Sequence, residues 1–245
     1  DVKSKEIVML GIIGALDIEI EGVKKLMDNI EETEISQIAF YKGSINGKDC
    51  VLAQCGVGKV NAAMCAQAMI MQYKPSAIIN SGVAGALSAR LKIGDIVVSS
   101  RVVNHDNRCL VDIGEENKEM YPRGTIQFSN EIITEIPADK ELTDKIIAEC
   151  KKDLKNVNVY YGTVASGEQF VSGKAARKEI GEYFNAYCCE MEGASIGQVC
   201  YRNRVPFAVL RAISDTIDDN DYMDFEKFKF LAADETLKVI KAFFD

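Results

Sequence analysis

The sequence predicts an α/β fold: a single domain of three layers, with helices on both faces of a central mixed sheet. Three observations predict it. Apolar runs alternate with helical patterns along all 245 residues, as they do where helices cross between strands. No Pro/Ser-rich linker, repeat or low-complexity tract divides the chain, and 245 residues suits one α/β domain. An Asn46-Gly47 pair between two short apolar runs is a hairpin signal, and a hairpin makes the sheet mixed.

The elements follow in order. Ile7–Ile13 is an apolar run that reads as a buried strand, and Glu19–Met27 places Ile20, Val23, Leu26 and Met27 at helical spacing. Ala39–Ile45 and Cys50–Gln54 are the strands of the hairpin. Lys59–Tyr73, rich in alanine and methionine, is helical, and Ser76–Asn80 and Ile96–Val103 are strands. Asp106–Asp139 carries Gly114, Pro122, Gly124, Pro137 and many charges, and reads as an excursion that is partly loop. Lys140–Leu154 is helical, Val159–Ser166 a strand, Gly173–Tyr183 a helix and Ala186–Glu190 a short strand. Gly193–Asn203 is a helix, Pro206–Ile213 a strand, and Asp224–Phe244 a closing amphipathic helix. In such sheets ligands bind beyond the carboxyl ends of strands. That directs attention to 14–19, 56–59, 82–85, 166–171, 190–192 and 214–219.

Composition narrows the function. With 29 basic and 37 acidic residues the net charge is −8, which argues against nucleic-acid or anionic-membrane partners. The longest apolar stretch, near Ile7–Leu16, stops at Asp17, short of the ~20 residues of a membrane span. The opening Asp-Val-Lys-Ser-Lys-Glu is too acidic for a signal peptide, so a cytoplasmic location is expected. The eight cysteines form no C-x-x-C pair and read as small buried hydrophobes in a reducing compartment. The single histidine, His105, leaves no zinc site of several histidines and no histidine pair for acid–base work. Proton transfer therefore falls to carboxylates, and neither metal nor cofactor is expected.

Two glycine loops invite a phosphate reading, and neither fits it. Gly56-Val57-Gly58-Lys59 lacks the leading glycine of a P-loop (position 53 is Ala53), and Val60 replaces its Ser/Thr. Gly11–Gly14 has two of the three glycines of a dinucleotide fingerprint. The carboxylates say more. Glu190-Met191-Glu192 stands between a strand and a helix, where a carboxylate either caps the helix or faces a vicinal diol such as ribose. Asp215, after the Pro206–Ile213 strand, either caps a helix or is catalytic. Asp17, Glu19 and Glu21 open the first helix, and spacing alone does not say which points at the strand ends. Asp218, Asp219 and Asp221 read as solvated surface, and His105 with Asp106 as a local hydrogen-bonded pair.

Together these pieces resemble the purine nucleosidase/phosphorylase superfamily, and within it the 5′-methylthioadenosine/S-adenosylhomocysteine nucleosidases. The resemblance covers nearly the whole chain. It rests on seven motifs in the family's order: Gly11–Glu19, Cys55–Asn61, Asn80–Gly85, Lys92–Val98, Ser166–Phe170, Glu190–Gly193 and Arg211–Asp215.

The resemblance implies a nucleoside phosphorylase-like fold and an N-glycosidase that releases adenine from 5′-thio-substituted ribosides by hydrolysis, without a cofactor. It makes Glu19 the base that activates water, and Asp215, helped by Ser214, the acid that protonates adenine N7. Phe170 would stack on adenine and Val171 read its edge, while Met191 and Glu192 hold the ribose. Val83, Ala84 and Gly85 join the binding residues, with Arg211 near Glu19 and the water, and Val57 and Phe225 around the 5′ group. Burial of Asp215 beside other carboxylates would keep its proton. Phe225 would come from the partner subunit of a homodimer. Val83 departs from the Ser or Thr of many relatives, and Asn80 and Val83 stand where the phosphorylase relatives hold phosphate with Arg and Ser. A phosphorylase of the same fold and a non-catalytic nucleoside binder are the alternatives. The sequence does not rank methylthioadenosine, S-adenosylhomocysteine, 5′-deoxyadenosine and 6-amino-6-deoxyfutalosine as substrates.

Overall fold

In the computed structural model residues 8–112, 117–154, 157–217 and 221–245 are described, with backbone alone at 111–112, 117–118, 153 and 221–224. Strand β1 (Met9–Gly14) leads to helix α1 (Asp17–Leu26), followed by three consecutive strands, β2 (Asp28–Ile35), β3 (Ile38–Ile45) and β4 (Lys48–Gln54). Next come α2 (Lys59–Tyr73), β5 (Ala77–Ala86) and β6 (Ile96–Asn104). The excursion supplies β7 (Leu110–Asp112), β8 (Asn117–Glu119), β9 (Ile126–Gln127), β10 (Ile132–Ile133) and β11 (Ile136–Pro137). The chain ends with α3 (Lys140–Asp153), β12 (Val159–Ser166), α4 (Lys174–Phe184), β13 (Ala186–Glu190), α5 (Gly193–Asn203), β14 (Phe207–Asp215) and α6 (Asp221–Phe244).

Ten of these strands make one mixed sheet, ordered β11-β6-β12-β13-β5-β1-β4-β3-β2, with β14 paired to both β5 and β6. The central pairs β1–β4, β1–β5 and β5–β14 are parallel, while β3–β4 is antiparallel. The expected hairpin is present, with Asn46 and Gly47 both at positive φ (48° and 75°) as a two-residue hairpin turn requires. Half of the sheet closes on itself. β14 bridges β5 to β6, and β13 returns to β5 through Cys188–Ala86 and Cys189–Gly85.

The layers follow from the period of two along each strand. Ile13, Val51, Ala53, Ile78 and Val209 face α2 and α5 on one side of the sheet. Leu10, Ile12, Leu52, Ile79 and Leu210 face α1, α3 and α6 on the other. Central strands covered on both faces read as unbroken apolar runs, which is why β1 and β14 are legible in the sequence.

The structure departs from the sequence reading in several places. β2 was not expected, because Asp28–Ile35 is exposed along nearly all its length and carries no apolar alternation. It is the free edge of the sheet, where acidic side chains deter pairing with another chain. β5 continues past Asn80 to Ala86, so Gly82–Gly85 lie within the strand rather than after it. β14 likewise includes Ser214 and Asp215, and Asp215 ends a strand instead of capping a helix. Helix α1 starts two residues before Glu19, at Asp17. The eight cysteines form no disulfide among the described residues, and seven of them are buried, Cys109 being half-buried. Ile7, Gly114, Asp218 and Asp219 lie outside the described residues. Of the described helices, none is long and apolar enough to cross a membrane.

Candidate active site

The ends of β1, β5, β12, β13 and β14 surround a cavity of about 510 Å³, within the usual range for a small-molecule site. Glu19 reaches it from the first turn of α1. Its Oε2 accepts hydrogen bonds from the backbone N–H groups of Ala15 (2.7 Å) and Leu16 (2.9 Å), and its Oε1 from Val83 N–H of β5 (2.9 Å). The carboxylate therefore satisfies donors at the start of its own helix while facing the cavity. A side chain at Gly82 would place its Cβ 2.4 Å from Glu19 Oε1, so β5 needs glycine there.

Asp215 is fixed in a parallel way at the end of β14. Ser214 Oγ donates to its Oδ1 at 2.6 Å, and Arg177 Nη2 pairs with its Oδ2. A Cβ at Gly85 would lie 2.9 Å from that Oδ2. Asp215 thus packs against a guanidinium, not against the carboxylates expected from the sequence. Arg177 is 1% exposed and also donates to Val171 O and Thr216 O, both at 3.2 Å. It ties Asp215 to the segment that carries Phe170 and Val171.

The Glu190-Met191-Glu192 segment divides the two roles proposed for it. Glu190 is the cap: its Oε2 accepts from Glu192 N–H (3.1 Å) and Gly193 N–H (2.8 Å) at the start of α5, and Arg211 balances its charge. Glu192 is left to face the cavity, its Oε1 accepting from Gly58 N–H at 2.9 Å. Burial first, and the Glu190 carboxylate second, push the Glu192 carboxyl up to about 8, against the lowering pull of Arg211 and the Gly58 hydrogen bond.

Val57, Val83, Ala84, Gly85, Phe170, Val171, Met191, Glu192, Ser214 and Phe225 all line the cavity with Glu19 and Asp215. Arg211 does not. It lies one layer below, its Nη2 bonded to Asn80 Oδ1 (2.5 Å) and Glu190 and 3.8 Å from Glu192 Oε2. Phe225 is the residue that the resemblance draws from a partner subunit. It lines the cavity of its own chain, edge-on to Phe170 with ring centroids 5.6 Å apart. The side chains of Tyr222, Met223 and Asp224 lie outside the described residues.

The His105–Asp106 pair does not form as expected. Asp106 bonds Lys59 Nζ (2.6 Å) and Glu168 N–H (2.6 Å), while buried His105 Nε2 has no partner and burial pulls that imidazole below its usual value. Arg177 is the functional residue that sequence reasoning missed. A signal was present: it shares the i, i+3, i+7 stripe of α4 with Ile180 and Phe184, so a charge sits on the apolar face of the helix.

A pocket with acidic groups at the strand ends of a partly closed mixed sheet defines a nucleoside phosphorylase-like site. The phosphorylase superfamily model matches residues 9–245. A 5′-methylthioadenosine/S-adenosylhomocysteine nucleosidase of Haemophilus ducreyi is 37% identical over 95% of this chain and 96% of its own. The nucleosidase of that name from Neisseria meningitidis, solved with methylthio-immucillin-A, superposes with a TM-score of 0.86 at 30% identity, covering 97% and 98% of the two chains. A futalosine hydrolase of Helicobacter pylori reaches 0.85 at 31% identity, covering 98% of both. The chain belongs to the phosphorylase superfamily and, within it, to the family of 5′-methylthioadenosine/S-adenosylhomocysteine nucleosidases.

Proposed function

We propose that the chain hydrolyses the N-glycosidic bond of 5′-thio-substituted adenosines, methylthioadenosine and S-adenosylhomocysteine, with Glu19 as base and Asp215 as acid. The observation that carries this reading is the pair of cavity-facing carboxylates, Glu19 held by backbone N–H groups and Asp215 by Ser214 and Arg177, each given room by a glycine of β5. Water attacks C1′ as the C1′–N9 bond breaks. Glu19 takes the proton of the water, and the electron pair of the broken bond passes into adenine as N7 receives, through Asp215, a proton that this carboxylate takes up from solvent on substrate binding. Phe170 stacks on the purine, and Val171 reads its edge through its backbone. Positive charge on the ribose in the transition state is met by the acidic floor of the cavity. At neutral pH Glu192 carries a proton, so it offers adjacent hydroxyls one donor and one acceptor. Arg211 holds Glu190 and, behind it, the Glu192 side of the site. Met191 packs beside the ribose, and Val57 and Phe225 wall the 5′ end.

Adenine release measured with and without phosphate tests the reading. Hydrolysis yields the free thiosugar and needs no phosphate, whereas phosphorolysis yields the sugar 1-phosphate. Glu19, whose carboxylate faces the cavity, repels a phosphate dianion. Glu19→Gln and Asp215→Asn are each expected to lower kcat by about 10²–10⁴-fold, with nucleoside binding retained in Glu19→Gln. Turnover within tenfold of the parent removes that residue from its role. The working unit is a homodimer. Val60, Met64 and Met71 expose an apolar stripe on one face of α2, which suits contact with a second copy.

A further inference from the structure

We propose that Glu226 and Lys229, one turn apart on α6, form a zwitterion-reading rim that selects 5′ substituents ending in an α-amino acid. The proposal rests on the nucleosidase reading and concerns the outer end of the same cavity. Both residues line it, and their side chains pair at 2.7 Å. The cavity is graded in depth. Glu19, Glu192 and Asp215 are at most 8% exposed. Phe170 and Phe225 stand above them, edge to face. The Lys229 ammonium lies 5.4 Å from the Phe225 ring, on the wall assigned to the 5′ group.

An i,i+3 ion pair on a helix is ordinary, and its place is what distinguishes this one. Glu235 and Lys238 make the same pairing on α6 and line no part of the cavity. The Lys238 side chain is 48% exposed, whereas Lys229 is 21% exposed with its ammonium 5.4 Å from the Phe225 ring and 5.6 Å from the Phe230 ring. Water screens it less there. A lone cation at the rim would favour any anionic tail, and a lone anion any cationic one. The pair favours a group with both signs: ammonium against Glu226, carboxylate against Lys229. Such a tail exchanges partners with the existing pair and leaves no charge uncompensated. A methylthio group stops at Phe225 and gains nothing from either.

The test compares kcat/KM for four adenosine thioethers: methylthioadenosine, S-adenosylhomocysteine, and analogues whose tail keeps only the amine (3-aminopropyl) or only the carboxylate (3-carboxypropyl). Lys229→Met and Glu226→Gln are each expected to lower the S-adenosylhomocysteine to methylthioadenosine ratio by about threefold to tenfold, the range of a partly screened charge-assisted contact. Lys229→Met lowers the relative rate of the carboxypropyl analogue and Glu226→Gln that of the aminopropyl analogue. Lys229→Arg, which keeps the charge, holds the ratio and controls for disturbance of α6. Ratios within twofold of the parent in both neutral variants overturn the rim, while the nucleosidase reading stands if the parent cleaves methylthioadenosine. A parent that releases adenine from none of the four overturns both.

Discussion

Arg177 is a full positive charge enclosed by the fold, and its partner Asp215 is equally enclosed. Taking away one member of such a pair strands the other, which costs about 3–5 kcal/mol. Arg177→Met should therefore lower unfolding stability by about that amount in urea titrations. Adding Asp215→Asn should recover part of the loss, since no buried charge is then unpaired, while leaving the protein inactive. A double variant no more stable than Arg177→Met would mean that the guanidinium acts through its bonds to Val171 and Thr216. Glu192 gives a second residue-scale expectation. The folded chain keeps a proton on this carboxyl that the unfolded chain releases near 4.5, so its contribution to stability is complete below about pH 4.5 and is lost as pH rises through about 8. In Glu192→Gln the slope of stability against pH over that window should flatten. An unchanged slope would place the proton elsewhere.

At the scale of elements, β5 decides where both carboxylates stand. Gly82→Ala would drive a methyl into Glu19, and Gly85→Ala would drive one into Asp215 and Arg177. Each should reduce kcat by about 100-fold or more while circular dichroism shows the sheet intact. Near-parental turnover in Gly82→Ala would show that Glu19 has other productive positions. β5 also marks how far the sequence can be read. Its first half, Ala77–Asn80, is an apolar run and was legible, whereas Ser81–Ala86 looks like a loop because the residues that make room for a site are small. β2 was illegible for the opposite reason: an exposed acidic edge has no buried face to impose a period of two. Local pattern located Glu190, Glu192 and Asp215 at strand ends but not their partners. The pairing of Arg177 with Asp215 joins positions 38 residues apart in sequence, which no local pattern encodes. The reach of Phe225 into its own chain's cavity depends likewise on how α6 packs back onto β14 and β5.

For the whole molecule, the α2 stripe makes association the expectation. A dimer should sediment at twice 27.0 kDa, and Met64→Lys with Met71→Lys should shift it toward the monomer. A parent that sediments as a monomer at micromolar concentration ends the homodimer proposal. The path of the chain through the sheet carries one more consequence. β14, the last strand, is inserted between β5 and β6, and it brings Asp215 to a site whose other carboxylate entered near the amino terminus. During synthesis the ribosome must deliver every other strand of the sheet before that slot is filled. Until then the closed half of the sheet stands open and its apolar edges wait unpaired. Folding is governed by contacts distant in sequence and is correspondingly slow, and the nascent chain needs protection from aggregation until β14 has emerged.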